Sequence, residues 1–550
     1  MRTFLYLIIL SIFTSSCTHL LEEEMYSEVT DNYLNTPEGF EDGAAACYTP
    51  LRSFYATEGG FSMTVFGTDT YTMGRDGSWK AFNTYDGQLN PSATILRDVW
   101  RDFYRGINTC NAIIDRAVDV DLPADRKQQL VSEARFLRAH YYFVLVQLFG
   151  PVHLSLHEVS GVATSASRAP IADVYESIIA DLEASIQQLE VESADYGRAT
   201  KPAAEQLLAR VFLTRATTSA RGADDYARAA QLATHIINDY DFRLLDNFGD
   251  VFAIAPNDRN DEVIWAVQYT ADQRANGDGN RGHFFFVMDY RTLSLGVVNN
   301  ILDGRPWTRF RPTEFTLETL FADRVNDVRY EQQFQSVYYC NNPGTYTLKN
   351  GKTVTLALGD TAIWLPGHPV SAADASRRNY EVLTPDRYST EWYPTLIKYL
   401  DANLPTLSEN RGTRDFLAFR LAETYLIAAE ALHYTGDQTN AVRYMNTLRE
   451  RSARIGTTDA ETQAHKAAMH ITEDQLDLDF ILDERGRELL GEQFRWFDLV
   501  RTGKLLERVK AHNPDAAANI RDFHVLRPIP LEQIDRTEGG ADAFPQNTGY

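Results

Sequence analysis

The chain has 550 residues, 44% of them apolar, with 76 acidic against 53 basic side chains and a formal net charge of −23. That length allows a substantial core in one or two domains. The acid excess argues against nucleic acid or anionic lipid headgroups as ligands and favours a neutral ligand or a partner with basic loops. Cys17 aside, three cysteines (Cys47, Cys110 and Cys340) are too few for a disulfide framework as the main stabiliser and leave room for a single bridge, and no CxxC or Cys/His cluster suggests a zinc site.

In chain order, Arg2 supplies a positive start, Phe4 to Phe13 form a short apolar run, and Ser15 and Ser16 abut Cys17. This order is a secretory signal ending at a cysteine. The apolar run is about half of what a membrane-spanning helix needs, so it predicts cleavage ahead of Cys17 and lipidation at that residue. Residues 1–16 are thus a lipoprotein signal peptide, and no later segment approaches spanning length.

Leu130–Phe149 repeats apolar residues every three or four positions, the period of one helix face, and Gly150-Pro151 ends it. Ile171–Leu189 is a second amphipathic helix. Lys201–Ala216 with Asp224–Tyr240, and later Phe416–Tyr434 with Gln438–Arg451, read as helix pairs around glycine turns. Alanines at the close-approach positions resemble tetratricopeptide pairs, which stack because each pair cannot bury its own apolar face. The expected fold is mainly α, a tetratricopeptide-like helical repeat scaffold of about four pairs.

Between 241 and 412 the helical period is lost. Short β-prone runs appear at Val263–Tyr269, His283–Met288 and Phe334–Tyr339, among Pro, Gly, Asn and aromatic residues. The segment is too long for a loop and predicts a loop-rich mixed insertion subdomain. Helical scaffold is expected over 17–240 and 413–550.

Signatures of chemistry are absent. Gly277-Asp-Gly279-Asn-Arg-Gly282 fits GxGxxG but precedes an expected strand at Phe284–Val287, whereas a dinucleotide site must open a helix. His153 and His157 lack further ligands nearby, and no metal or cofactor is expected. Charges from Glu484 to Arg501 interleave with Leu489, Phe494, Trp496 and Leu499 and balance in sign, which predicts a charge-paired helix on an aromatic seam.

Several blocks resemble the SusD/RagB family of outer-membrane lipoproteins. They include Glu133-Ala-Arg-Phe-Leu-Arg-Ala-His-Tyr-Tyr142, Trp100-Arg-Asp-Phe-Tyr104 with Ile107-Asn-Thr-Cys-Asn111, and Arg198-Ala-Thr-Lys-Pro-Ala-Ala204. Arg420-Leu-Ala-Glu-Thr-Tyr-Leu426, Glu484–Arg501 and the ending Gln546-Asn-Thr-Gly-Tyr550 continue the match, with Thr548 where the family usually has Pro. The resemblance implies one SusD-like domain over 17–550. It also implies a non-catalytic, surface-exposed outer-membrane lipoprotein that captures an oligosaccharide and passes it to a SusC-like TonB-dependent transporter. Competing classes are a surface glycoside hydrolase with an unrecognised carboxylate pair, and a peptide-binding relative.

Sugar sites pair flat aromatic platforms with a few polar groups, and aromatics on irregular segments are the better candidates. That criterion sets aside Trp100, Trp265 and Trp496 and leaves Trp79, Trp307, Trp364 and Trp392. The candidate ligand residues are Asp69, Tyr71 and Trp79 in one loop, Arg305 and Trp307 in another, and Trp364. The Gly67-Thr-Asp69 triplet also resembles a family block near the ligand face.

Overall fold

The computed structural model describes residues 33–253, 259–272 and 274–550. The signal segment and Cys17 lie outside them. Seven long helices carry the scaffold: α1 (Thr94–Arg116), α2 (Ala124–Phe149), α3 (Ile171–Gln188), α4 (Lys201–Arg215), α5 (Asp225–Asp239), α6 (Leu421–Thr435) and α7 (Gln438–Arg451). Each packs on the next in that order, so α5 lies directly against α6 although about 180 residues separate them in sequence. The small residues explain the close approach. Ala229, Ala230 and Ala233 of α5 and Ala422, Ala428 and Ala429 of α6 are all buried. Helix makes up about 48% of the structure, and the fold is mainly α. Gly150, at φ 72°, ends α2 in a backbone conformation that a Cβ would disfavour.

The segment between α5 and α6 leaves and returns at one place. Its first strand, Val263–Val267, pairs antiparallel with its last, Phe416–Arg420, and the Leu421 N–H donates to the Glu262 carbonyl at 2.8 Å. The expected helix from Phe416 therefore begins only at Leu421. All five residues of 416–420 are buried, and burial on both faces of an extended pair wins over helical period. His283–Met288 departs too: Gly282–Phe285 is one helical turn whose Gly282 N–H is taken by Asn280 Oδ1 at 2.9 Å. Among the described residues, the glycine-rich turn ahead of it is separated from the strand Val263–Val267, and Asn280 bridges Gly412. The expected extended runs at Val263 and Phe334–Tyr339 are strands.

Most of the molecule shares one core, while the insertion has a second of its own around Val287, Tyr290, Tyr338, Ile363, Leu383 and Tyr393. A three-stranded sheet crosses that second core, with Thr361–Trp364 between antiparallel Val337–Tyr339 and parallel Glu381–Val382.

The charged seam is the opposite of a solvent-facing stripe. Arg420 reaches Glu262 at 2.8 Å, Glu488 at 2.8 Å and Glu492 at 2.7 Å, and Arg329 reaches Glu484 at 2.7 Å and Asp327 at 2.7 Å. All seven side chains are buried. Paired in this way the charges tie the insertion ends to the C-terminal helices, and removal of one partner would leave an uncompensated buried charge. Cys47, Cys110 and Cys340 are buried free thiols.

Candidate functional site

The strand Tyr71–Met73 pairs antiparallel with Phe310–Pro312 and sets loop 74–80 beside loop 305–309. Gly74 N–H donates to the Arg309 carbonyl at 3.0 Å, Asp76 N–H to the Thr308 carbonyl at 3.2 Å, and the Thr308 hydroxyl to Asp76 at 3.1 Å. A third segment joins them where Arg75 N–H donates to the Thr390 carbonyl at 2.9 Å. Gly74 is required here, because a Cβ would stand 2.1 Å from the Thr308 carbonyl oxygen. Thr308 itself holds φ 44°, a conformation that costs energy in a β-branched residue. Three half-buried indoles lie on these joined segments. Trp79 and Trp307 rest on the main core and Trp392 on the core of the insertion.

Arg75 is the electrostatic hub. It pairs with Asp76 at 3.1 Å, Asp289 at 2.8 Å and Glu391 at 3.2 Å, while Asp289 also holds Arg291 at 2.7 Å. The hydrogen bond from Arg75 holds the Asp76 carboxyl below its usual range. Burial works to raise the Asp289 carboxyl, but Arg291 and Arg75 outweigh it and the net shift is downward. Burial raises Glu58, although Arg309 sits 3.1 Å away. Lys80 donates to the Arg75 carbonyl at 2.7 Å.

The candidates from sequence divide. Asp69 and Tyr71 are both fully enclosed and present no surface to a ligand. Asp69 is clasped by Arg495 at 2.5 Å and Arg508 at 3.3 Å, and the Tyr71 ring packs edge-on against Phe286. Their loop is polar in sequence because it meets buried arginines from the far end of the chain. Trp79, Arg305 and Trp307 fall on the joined loops. Trp307 stacks on Phe284 with centroids 4.5 Å apart at 17°, and Arg305 lies over the same Phe284 ring at 6.0 Å. Trp364 lies elsewhere, on the insertion sheet, edge-on to Tyr380 and His368 and under Arg378 at 5.9 Å. Sequence reasoning left out Arg75, Lys349 and, in its final choice, Trp392. The aromatic criterion did retain Trp392, and only the 75–390 hydrogen bond shows which loop it joins.

A sizeable cavity lies away from this face. It holds about 490 Å³ and is lined by Tyr48, Arg52, Arg198, Gln268 and Tyr269 among others. Three of its polar side chains are engaged: Tyr48 donates to Glu133 at 2.8 Å, Arg198 pairs with Glu133 at 3.0 Å and Arg52 donates to the Ala275 carbonyl. Among the described residues no cluster of three or more His, Cys, Asp or Glu could hold a metal ion.

A stacked-helix scaffold interrupted by a mixed insertion, with indoles gathered where the insertion meets an early loop, defines a specific class of protein. A family model described as the SusD family matches residues 261–550, and another, described as starch-binding and associating with the outer membrane, matches residues 21–213. The chain belongs to the SusD/RagB family. It is 25% identical over 561 residues to a SusD-like protein of Formosa agariphila, covering 99% of this chain and 98% of that one. It is 23% identical over 443 residues to the starch-binding protein SusD of Bacteroides thetaiotaomicron, covering 76% and 72%. Among solved structures, a laminarin-binding SusD-like protein aligns with a TM-score of 0.68 at 22% identity, covering 94% of this chain and all of that one. Surface glycan-binding protein A of Bacteroides thetaiotaomicron, in complex with laminarihexaose, aligns with a TM-score of 0.66 at 20% identity, covering 93% and 99%. At such identities the structural likeness establishes the fold.

Proposed function

We propose that this protein is a non-catalytic glycan-capture lipoprotein, anchored through lipid at Cys17 and displayed on the outer membrane. It delivers oligosaccharide to a TonB-dependent transporter. The observation that carries this reading is the set of three half-buried indoles on hydrogen-bonded loops, with charged and amide groups around them. Indole faces cover the C–H faces of sugars, and the surrounding polar groups satisfy hydroxyls. Relatives described as starch-binding and laminarin-binding support a glycan as the ligand class.

Calorimetry with an oligosaccharide panel, followed by a reducing-end assay of the same mixtures, tests the reading. Saturable binding without new reducing ends is expected. Turnover that persists through purification and disappears in Glu58→Gln would instead make the protein a hydrolase, with the raised carboxyl as its acid.

A further inference from the structure

On these loops cations accompany the half-buried rings of Trp307 and Trp392 and the buried ring of Phe284 beneath Trp307. Arg309 lies over Trp307 at 5.1 Å, Lys349 over Trp392 at 5.3 Å and Arg305 over Phe284 at 6.0 Å. The same pairing recurs at the insertion sheet, with Arg378 over Trp364. A neutral pyranose needs a bare indole face for its C–H groups. A cation at 5 to 6 Å competes for that face and is stabilised there by the ring quadrupole.

The charge ledger of the face points the same way. Its carboxylates are consumed: Asp76 and Glu391 by Arg75, Asp289 by Arg75 and Arg291, and Glu58 by Arg309. Asp303 accepts from the Asn300 and Gln335 amides at 2.6 Å each. Among the described residues, three cations here have no carboxylate within ion-pair reach. Lys80 donates to a backbone carbonyl, Arg305 to the Asn410 side-chain oxygen at 3.3 Å, and Lys349 caps Trp392. In a chain of net charge −23 this is a local reversal of sign.

We infer that the captured oligosaccharide is anionic, bearing carboxylate or sulfate groups that bridge to Lys80, Arg305 and Lys349 while a sugar ring lies along Trp79, the indole on these loops that no cation covers. The inference rests on the glycan-capture reading and narrows its ligand class. It also revises the expectation of a neutral ligand, which came from the charge of the whole chain. At physiological salt, charges separated by more than about 8 Å are largely screened. Ligand at the face therefore responds to these cations more than to the acidic remainder, which still repels polyanions that extend beyond the face.

Calorimetry of the full chain against matched probes tests this. Oligogalacturonate is compared with its methyl ester, sulfated carrageenan oligosaccharide with its desulfated counterpart, and laminarihexaose serves as the neutral glucan. Removing the charge from the preferred probe is expected to weaken binding about tenfold, roughly the sum of a few exposed ion pairs. Lys349→Met and Arg305→Met should each weaken the charged probe roughly two- to fivefold without weakening its uncharged counterpart, so that the preference for charge narrows. Whether the carboxylated or the sulfated arm binds identifies the anion. Equal or tighter binding of the neutral probes overturns the anionic assignment and leaves glycan capture standing. Failure of every probe with a normal melting temperature overturns both. Should a variant fail to fold, the comparison of charged and uncharged probes on the unaltered protein still decides.

Discussion

The Arg495 guanidinium closes on both carboxylate oxygens of Asp69, at 2.7 and 2.5 Å, across 426 positions of the chain. Arg508 adds a contact at 3.3 Å. The pair ties the early loop that leads to Trp79 onto the C-terminal helices, and both partners are buried. Asp69→Ala is therefore expected to destabilise by about 3–5 kcal/mol, the cost of stranding a buried charge. Chemical denaturation would show this, while glycan affinity of the folded fraction should stay near that of the unaltered protein. A large affinity loss at unchanged stability would return Asp69 to the ligand site.

Trp79→Ala is expected to give the reverse pattern. Loss of a ligand-stacking indole costs about 1–3 kcal/mol of binding, or tenfold and more in Kd. Its melting temperature should move little, because the ring is only half-buried. Trp265→Ala is the contrast: that indole is 2% exposed, and its removal should cost about 3–5 kcal/mol of stability. Calorimetry and thermal melts on the two variants separate platform from core.

Gly74→Val tests the junction between the loops. The added side chain meets the Thr308 carbonyl, so the 74–309 and 76–308 hydrogen bonds should open and Trp79 and Trp307 should shift apart. Binding is expected to fall at least tenfold, about 1.4 kcal/mol, with a much smaller loss of stability. Gly87→Val, where a Cβ meets nothing within 4 Å, is the control and should bind normally.

Acid should unfold the protein in two overlapping steps. Burial lowers the His140 imidazole to about 3 and that of His283 to about 4, below the 6.5 of an unfolded histidine. The unfolded chain then binds more protons, so stability falls as pH drops from about 6.5 toward 4. Burial works to raise the Glu488 carboxyl, but Arg451, Arg420 and Arg329 outweigh it and hold it at about 2. Stability from that carboxylate is present above about 4.5 and is lost as pH falls toward 2. Denaturation midpoints between pH 3 and 8 should therefore decline steadily on the acid side. A flat profile from pH 7 to 5 would contradict the neutral, buried state of the histidines.

Cys17→Ala should abolish incorporation of radiolabelled palmitate, which the unaltered full-length protein takes up. External protease on intact cells should degrade the unaltered protein. Protection from that protease would place the anchored protein on the inner leaflet instead.

Much of the scaffold was legible because it is local. The three-to-four spacing through Leu130–Phe149, the alanines of the later pairs and the Gly-Pro stop at 150 are properties of neighbouring residues, and the helices form where those residues stand. Family membership was legible for a related reason, since its motifs are short blocks that keep their order along the chain. Periodicity also sorted the indoles. Trp100, Trp265 and Trp496 are buried, while Trp79, Trp307, Trp364 and Trp392 on irregular segments keep part of their surface.

Tertiary structure decided everything that depends on partners distant in sequence. Phe416–Arg420 is a strand because Val263–Val267 is available to pair with it, and Asp69 is structural because Arg495 arrives from the other end of the chain. The segments that carry Trp79, Trp307 and Trp392, the face proposed for ligand, are joined by backbone hydrogen bonds among residues 74–76, 308–309 and 390. The charge of that face likewise follows from which carboxylates find arginines. Composition counts every charge equally, whereas folding pairs some of them and, among the described residues, leaves Lys80, Arg305 and Lys349 without a carboxylate within ion-pair reach.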